Sequence, residues 1–140
     1  MTEAILFPSE AWIQALSDRL NDSPDYKIAA AKWEGSLGYV VEPDKGSTDK
    51  QRISFMDAYH GEIRESCELE TIGERDIDFI LRANFATWKS IIKREIEPIR
   101  AVMTGKIKVT GNRLKLLKNV GAAKVMMECM KSIPTKFDDE

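Results

Sequence analysis

Residues 99–112, IRAVMTGKIKVTGN, combine the signals of a helix, a strand and a turn in one short stretch. Pro98 suits the first turn of a short helix, and Gly105 suits the position just after its end. In residues 106–109 apolar side chains alternate with lysines, which predicts a brief strand. Gly111 then turns the chain. We therefore expect a helix, a strand and a further helix to follow one another here.

Helical patterns flank this stretch on both sides. After Gly111 we predict one long helix that ends at Pro134, because apolar residues recur at steps of four and three. Its inner face would consist of Leu116, Val120, Ala123, Met127 and Met130. Before the stretch, Asn84 can cap another helix. The apolar stripe of that helix would consist of Phe85, Trp88, Ile91 and Ile92.

Residues 33–82 carry the strand signals. Four runs alternate in period two, at 33–41, 52–59, 63–69 and 76–82, and turn-forming residues separate them. Four such runs within about fifty residues predict an antiparallel meander. Ahead of them, Ser9 precedes an amphipathic helix. The apolar face of this helix would consist of Trp12, Ile13, Leu16 and Leu20.

The predicted order is a helix, four strands, helices, a fifth strand and a long helix. Strands and helices that are segregated along the chain are typical of the α+β class, in which helices cover one face of an antiparallel sheet. A chain of 140 residues is the right length for one hydrophobic core. We therefore predict a single α+β domain over residues 1–140, with a five-stranded, mostly antiparallel sheet covered on one face by helices.

The composition is that of a globular protein, with 43% hydrophobic and 31% charged residues, and this excludes a disordered or fibrous chain. No apolar run reaches the roughly 18 residues of a membrane span. We expect no secretory signal, because acidic Glu3 precedes only a short apolar stretch. Cys67 and Cys129 are then expected to be free thiols in a reducing compartment, and the expected location is cytoplasmic.

Charge is unevenly distributed along the chain, although the formal net charge is only −2. Residues 1–83 contain 9 Lys and Arg against 17 Asp and Glu, whereas residues 84–136 contain 12 against 3. If the two parts lie on different faces, the domain has a dipolar field. The basic part would then favour an anionic head group, a membrane surface or an acidic partner. Solvated helix faces with nothing bound are the alternative.

Catalytic groups are sparse in this sequence. The single histidine, His60, is expected in a turn, and there is no glycine-rich phosphate loop, G-x-S-x-G, H-E-x-x-H or C-x-x-C motif. We therefore expect no catalytic residue, no metal ion and no cofactor. An enzyme acting on small apolar thioesters is the one catalytic alternative, and it would require Asp57, His60 and Glu62 to converge at a cavity.

Residues 99–112 resemble the signature of the sterol carrier protein type 2 family. In that family a short helix ends in a Met-Thr/Ser-Gly-Lys run, here residues 103–106, and a brief edge strand and a Gly-Asp turn follow, here Gly111-Asn112. A leucine-rich C-terminal helix comes next, here from Leu114 on, and Trp88 lies where the family has a Trp-containing helix. The resemblance implies a five-stranded sheet, helices over one face, and an apolar tunnel that binds sterols, fatty acids, fatty acyl-CoA or phospholipids.

The candidate tunnel wall consists of large apolar side chains from the strands and the helices. Methionine suits such a wall because its flexible, polarisable side chain adapts to different alkyl shapes. A solid core packed by the same residues is the alternative. The candidate tunnel residues are Ile53, Phe55, Ile77, Phe79, Leu81, Trp88, Ile92, Ile99, Met103, Leu117, Met126, Met127 and Met130. The candidate residues for a head group or a membrane-docking surface are Lys106, Lys108, Arg113, Lys115 and Lys118.

These patterns and the resemblance predict a non-catalytic protein that binds and transfers an apolar, lipid-like ligand, either a fatty acid, a fatty acyl-CoA, a sterol-like molecule or a phospholipid. Transient contact with a membrane surface would accompany transfer. The alternative is a protein-interaction module of the same fold with a filled core, and the sequence leaves monomer and homodimer open. Nucleic-acid binding is not expected, because the basic region lacks interleaved aromatic residues and the domain is slightly acidic.

Overall fold

The computed structural model of the protein describes residues 3–47 and 49–137. Ser9 caps the first helix, because its hydroxyl oxygen accepts a hydrogen bond from the Trp12 backbone N–H at 3.1 Å. Asn84 caps a later helix in the same way, through the Thr87 N–H at 2.9 Å. In chain order the elements are β1 (Ile5–Phe7), α1 (Glu10–Asn21), α2 (Pro24–Ala29), β2 (Glu34–Glu42), β3 (Arg52–Tyr59), β4 (Glu62–Leu69), a 3-10 turn (Ile72–Glu74), β5 (Phe79–Asn84), α3 (Phe85–Ile92), α4 (Pro98–Met103), β6 (Lys108–Thr110), α5 (Arg113–Lys118), α6 (Val120–Ser132) and β7 (Thr135–Phe137).

A five-stranded mixed sheet lies at the centre of the fold, with the strand order β4-β3-β2-β5-β6. Neighbouring strands are antiparallel except β2 and β5, which run parallel. The main hydrophobic core joins the helices to one face of this sheet, where Leu37, Tyr39 and Met56 are buried. The predicted α+β class, the five strands and the single helix-covered face are confirmed.

The predicted meander is wrong for the fourth strand, because β5 lies beside β2 and not beside β4. The Ser36 backbone N–H donates to Asp78 Oδ2 at 2.9 Å, and the Asp78 N–H donates to Ser36 Oγ at 2.9 Å. These reciprocal hydrogen bonds hold the start of β5 against β2. Side-chain alternation identifies a strand, but it is the same whichever strand lies next to it, so it does not identify the neighbour.

The opposite face of the sheet carries a smaller apolar cluster of Val40, Ile53, Phe55 and Leu69. The connection from β4 to β5 covers this cluster, since Ile72 and Ile77 pack against it. Ile77 approaches the sheet so closely that a Cβ atom on Gly38 would lie 3.1 Å from its Cδ1. The helices therefore cover one face, and this connection covers the other.

The C-terminal region differs from the predicted single helix. Asn119 separates α5 from α6, with φ −107° and ψ 37°. Its side-chain amide donates to the Lys115 carbonyl oxygen at 2.7 Å, which competes with regular helical bonding. After Pro134, β7 pairs in parallel with β1, so that Phe7 is the partner of Phe137, and this two-stranded sheet was not predicted. The acidic tail, residues 138–140, lies outside the described residues.

Helix α1 contributes the most deeply buried part of the core. Ile13 is 1% exposed, and Leu16 and Leu20 are fully buried. Its polar face is tied to β4, because the Asn21 side-chain oxygen accepts a hydrogen bond from the Ile63 N–H at 2.7 Å. None of the helices in the described ranges is both long and apolar enough to span a bilayer.

Replacing Leu16 by Ala tests the contribution of this helix. We expect Leu16→Ala to lower the free energy of unfolding by about 2–5 kcal/mol, because a fully buried side chain leaves a cavity when it is truncated. Urea denaturation followed by circular dichroism measures the loss. Ile28→Ala is the control, since Ile28 is 78% exposed and should change stability by less than about 0.5 kcal/mol. Equal losses in the two variants would contradict the prediction.

Candidate functional site

A cavity of about 100 Å³ lies between the helix-covered face of the sheet and the helices. Its floor includes Tyr39 of β2 and Leu81 of β5, which are register partners and therefore stand side by side. Trp88 of α3 is fixed above this floor, because its indole N–H donates to the Val40 carbonyl oxygen at 3.0 Å. The Trp88 ring meets the Tyr39 ring edge to face, with centroids 5.7 Å apart. The cavity thus has a rigid aromatic side.

Helix α6 forms the longest wall of the cavity. The lining residues of α6 recur at helical spacing, so they share one face. They are Ala122, Ala123, Met126, Met127 and Met130. The two alanines leave space beside the sheet, and the methionines supply adaptable apolar surface.

Helices α4 and α5 form a thinner wall. Pro98, Ile99 and Val102 of α4 line the cavity, together with Leu116 of α5. The described structure shows no buried residue in α5. Arg113 Nη2 donates to the Val102 carbonyl oxygen at 3.2 Å and so connects the start of α5 to α4. The main chain of α5 is therefore held near the cavity by few apolar contacts.

Six of the thirteen predicted tunnel residues line this cavity. All six lie in β5 or in the helices that follow it, where the inner face of this strand and the inner faces of the helices converge on the same space. They are Leu81, Trp88, Ile99, Met126, Met127 and Met130.

Three predicted tunnel residues, Ile53, Phe55 and Ile77, lie on the other face of the sheet. Ile53 is the register partner of Val40, which neighbours Tyr39 along β2. Successive side chains of a strand point to opposite faces, so Ile53 and Val40 share the face that Tyr39 does not. The sequence shows two apolar faces here without showing which of them the helices cover.

The four other predicted tunnel residues also lie outside the cavity lining. Phe79 and Ile92 are buried in the main core, at 3% and 7% exposure. Met103 is 69% exposed, and Leu117 is half-buried. An apolar stripe on a short helix predicts burial in general, but the packing of α4 and α5 leaves these last two outside the cavity.

Twelve lining residues were not among the predicted ones. Strand alternation was a usable signal for Leu37 and Tyr39, and helix periodicity was one for Ile91, Leu116 and Ala123. The alternating strand patterns also include Trp33 and Ile107, whereas the positions of the remaining residues beside the cavity depend on how the helices pack. The twelve are Tyr26, Trp33, Leu37, Tyr39, Ile91, Pro98, Val102, Ile107, Leu116, Asn119, Ala122 and Ala123.

Three polar side chains lie among these apolar ones. The Tyr39 hydroxyl donates to Met126 Sδ at 2.9 Å, and a thioether sulfur is a weak acceptor. Tyr26 and Asn119 also line the cavity. Burial raises the pKa of Tyr26 to about 12 and raises the pKa of Tyr39 as well. At neutral pH both tyrosines are therefore uncharged hydroxyl donors.

Two of the five predicted basic residues contact the cavity wall. Lys115 Nζ lies 5.2 Å from the centroid of the Trp33 ring and donates to the Glu34 carbonyl oxygen at 2.5 Å. Arg113 makes the bond to Val102 described above. The other three predicted basic residues are exposed and do not line the cavity: Lys106, Lys108 and Lys118.

The residues of the thioester-enzyme alternative do not converge. His60 Nε2 lies 2.6 Å from Glu34 Oε2 at the surface, whereas Asp57 pairs with Arg64 at 3.0 Å. No group of three or more His, Cys, Asp or Glu residues in the described part of the chain is arranged to hold a metal ion. Cys67 and Cys129 are unpaired and half-buried, and burial raises the pKa of both thiols. The cavity differs from the surface pockets beside Pro43 and beside Glu97 in that its lining is almost entirely apolar.

Comparison with known proteins identifies the family. Residues 13–124 match the model of the SCP-2 sterol transfer family. A crystal structure of sterol carrier protein 2 is 34% identical, covers 89% of this chain and 97% of its own, and superposes with a TM-score of 0.81. The solution structure of a conserved hypothetical protein from Thermus thermophilus is 33% identical, covers 97% of this chain and 94% of its own, and superposes with a TM-score of 0.82.

More distant structures share the fold. The apo form of sterol carrier protein 2 from Yarrowia lipolytica is 17% identical over 86% of this chain and 89% of its own, with a TM-score of 0.58. No protein with a curated description matches the chain. The family match covers most of the chain, from α1 into α6, and includes all five strands of the central sheet. The chain therefore belongs to the SCP-2 sterol transfer family, whose domains bind and transfer lipids.

Proposed function

We propose that this protein binds the apolar part of a lipid-like molecule in the cavity and transfers it without catalysing a reaction. The observation that carries the proposal is the cavity itself, whose lining residues are apolar except for Tyr26, Tyr39 and Asn119. Burial of each methylene group contributes about 0.8 kcal/mol, so even part of an acyl chain would be held. The two unpaired cysteines support a reducing, cytoplasmic site of action.

Ligand entry requires the cavity to expand. Its volume of about 100 Å³ is below the roughly 300–1,000 Å³ of typical small-molecule pockets. Within the wall made by α4 and α5, α5 is the part that can move at least cost, since it buries no residue in the described structure, whereas α4 buries Ala101 and Val102. Met126, Met127 and Met130 can then change rotamer to follow the shape of the chain. We propose that α5 moves outward when an alkyl chain enters.

The polar groups of the lining favour a ligand with an uncharged hydrogen-bond acceptor. The Tyr39 hydroxyl gains from exchanging a thioether partner for an oxygen acceptor. A hydroxyl, ketone or ester group meets this demand without the cost of burying a charge. Lys115 and Arg113, beside the α4–α5 wall, are the candidates for binding an anionic head group that stays outside.

A filled-core interaction module is the second candidate function, and the small volume of the cavity favours it. Native mass spectrometry of the purified protein separates the two functions. A bound lipid of defined class that survives gentle ionisation would support the carrier function. A bare protein that also takes up no fluorescent fatty acid or fatty alcohol would support the interaction module, as a monomer or a homodimer.

Filling the cavity should abolish binding without unfolding the protein. We expect Ala123→Leu to weaken the binding of a fluorescent fatty alcohol at least tenfold, because the added side chain occupies space that the alkyl chain needs. Titration followed by Trp fluorescence is a direct readout, since Trp33 and Trp88 line the cavity. Ala29→Leu is the control, because Ala29 is an exposed residue of α2. Unchanged binding in Ala123→Leu would argue against an internal ligand.

Removing the Tyr39 hydroxyl should change selectivity more than affinity for hydrocarbon. We expect Tyr39→Phe to reduce the preference for a fatty alcohol over the alkane of equal length by about two- to tenfold, the value of one hydrogen bond. Competition against a fluorescent probe measures both ligands. Tyr59→Phe is the control, since the Tyr59 ring lies at the surface stacked on His60. An equal loss for alcohol and alkane would show that the hydroxyl makes no ligand contact.

A further inference from the structure

Helix α5 is joined to the rest of the fold by few contacts. It has six residues, none of which is buried in the described structure. Within the described ranges, two hydrogen bonds from its side chains reach other elements, one from Arg113 and one from Lys115. Arg113 binds the Val102 carbonyl oxygen and so joins α5 to α4, the other helix of the same wall. Lys115 is therefore the residue whose polar contacts tie α5 to the central sheet.

The Lys115 side chain reaches the start of β2. Its ammonium group donates a hydrogen bond to the Glu34 carbonyl oxygen at 2.5 Å. The same group lies 5.2 Å from the centroid of the Trp33 ring and 5.8 Å from that of the Phe79 ring, within range of cation–π contact. Lys115 is half-buried, whereas Lys118 on the same helix is exposed. A partly desolvated cation thus lies beside two aromatic rings and a carbonyl oxygen.

The anchoring contact does not depend on an acidic side chain. No carboxylate in the described ranges pairs with Lys115. The Glu34 carboxylate lies 2.6 Å from His60 Nε2 instead, so it is the backbone oxygen of Glu34 that binds the ammonium group. A substitution of the Glu34 side chain would therefore leave the contact in place, whereas a substitution of Lys115 would remove it.

The part of the chain that Lys115 contacts is itself fixed. Trp33 is 5% exposed. Its backbone N–H donates to the Ala30 carbonyl oxygen at 3.0 Å, and its own carbonyl oxygen accepts from the His60 N–H at 2.7 Å. Its indole N–H donates to the Gly35 carbonyl oxygen at 2.9 Å. Loss of the Lys115 contacts would therefore release α5 and leave the start of β2 in place.

These contacts bridge two parts of the cavity wall. Trp33 lines the cavity from the start of β2, and Leu116, the residue after Lys115, lines it from α5. If the contacts break, Trp33 stays with the sheet and Leu116 moves with α5. The wall then opens between them.

We propose that Lys115 controls the exchange of ligand by holding α5 closed over the cavity. Once its contacts break, α5 unravels or moves away, because isolated helices shorter than about 12 residues are marginal in water. Lys115 is thus a positioning residue that acts on the ligand through α5. Its effect on ligand exchange rests on the proposed carrier function, whereas its effect on α5 does not.

Hydrogen exchange of the ligand-free protein tests the hold on α5. Lys115→Met keeps the length of the side chain and removes its charge. We expect it to raise the exchange rates of the α5 amides about tenfold, the value of one hydrogen bond to a charged group. Lys118→Met is the matched control, because it makes the same change at an exposed residue of the same helix. Equal exchange rates in the two variants would overturn the proposal.

Two further variants identify the contact that holds α5. A guanidinium group also donates to a carbonyl oxygen and stacks on aromatic rings, so we expect Lys115→Arg to keep α5 protected. Glu34→Gln should keep it protected as well, because the partner is the backbone oxygen. Circular dichroism verifies that each variant is folded. Exchange as fast in Glu34→Gln as in Lys115→Met would contradict this assignment.

Stopped-flow uptake and release of a fluorescent fatty alcohol test the control of ligand exchange. The probe is uncharged, so it offers no anionic head group to the ammonium group. We expect Lys115→Met to raise both rate constants about tenfold and to change the Kd less than about twofold, since α5 is closed in the free and the bound state. A weaker Kd with an unchanged uptake rate would indicate direct ligand contact and overturn the proposal.

The two measurements separate this proposal from the carrier function. Faster amide exchange in Lys115→Met with unchanged uptake and release would show that α5 does not control entry, and would overturn the proposal. Unchanged amide exchange in a protein that takes up the probe would overturn the hold by Lys115 and leave the carrier function intact. Faster amide exchange in a protein that takes up no probe would support the hold on α5 and overturn the carrier function.

Discussion

The parallel pairing of β2 with β5 is the constraint on which the rest of the structure depends. The reciprocal hydrogen bonds between Ser36 and Asp78 hold the chain at this point, after the connection has crossed from β4 to the other side of β2. Because β5 lies there, Tyr39 and Leu81 stand side by side and form the floor of the cavity. The elements that follow β5 are then delivered to the same face of the sheet.

The cavity results from unequal packing on that face. Helix α1 fills its side of the sheet with fully buried leucines, whereas α6 presents alanines and methionines, and α5 buries nothing in the described structure. The well-packed side keeps the domain folded. Of the helices beside the cavity, α5 is the one that can give way with little loss of apolar contact, because it buries no residue in the described structure.

The candidate site shows which lining residues can be predicted from side-chain patterns and which cannot. The methionines of α6 and Trp88 were predicted from helical periodicity, because the inner face of a helix in a small domain has only one core to face. For the strands, the face that the helices cover was harder to predict. Ile53 and Phe55 belong to a strand with apolar residues on both faces, and nothing local distinguishes the face under the helices from the face under the β4–β5 connection. Only the pairing with β2 makes that distinction.

The outer surface of α4 and α5 illustrates a similar limit. The absence of acidic residues over 98–127 is plain in the sequence, yet the exposure of Met103 and Leu114 is not, since apolar residues at helical spacing ordinarily indicate burial. Their exposure depends on how α4 and α5 pack in the fold, which the spacing of apolar residues does not indicate.

The sequence by itself determined the helix caps, the positions of most strands and helices, the α+β class and the signature of the family, because these depend on residues close together in the chain. The tertiary structure alone decided the place of β5 and the side of the sheet that faces the cavity. The place of β5 and the choice of face depend on contacts between residues about forty or more positions apart, such as Ser36 with Asp78 and Tyr39 with Met126. Local propensity carries no information about such contacts, since the same pattern of side chains is compatible with more than one partner.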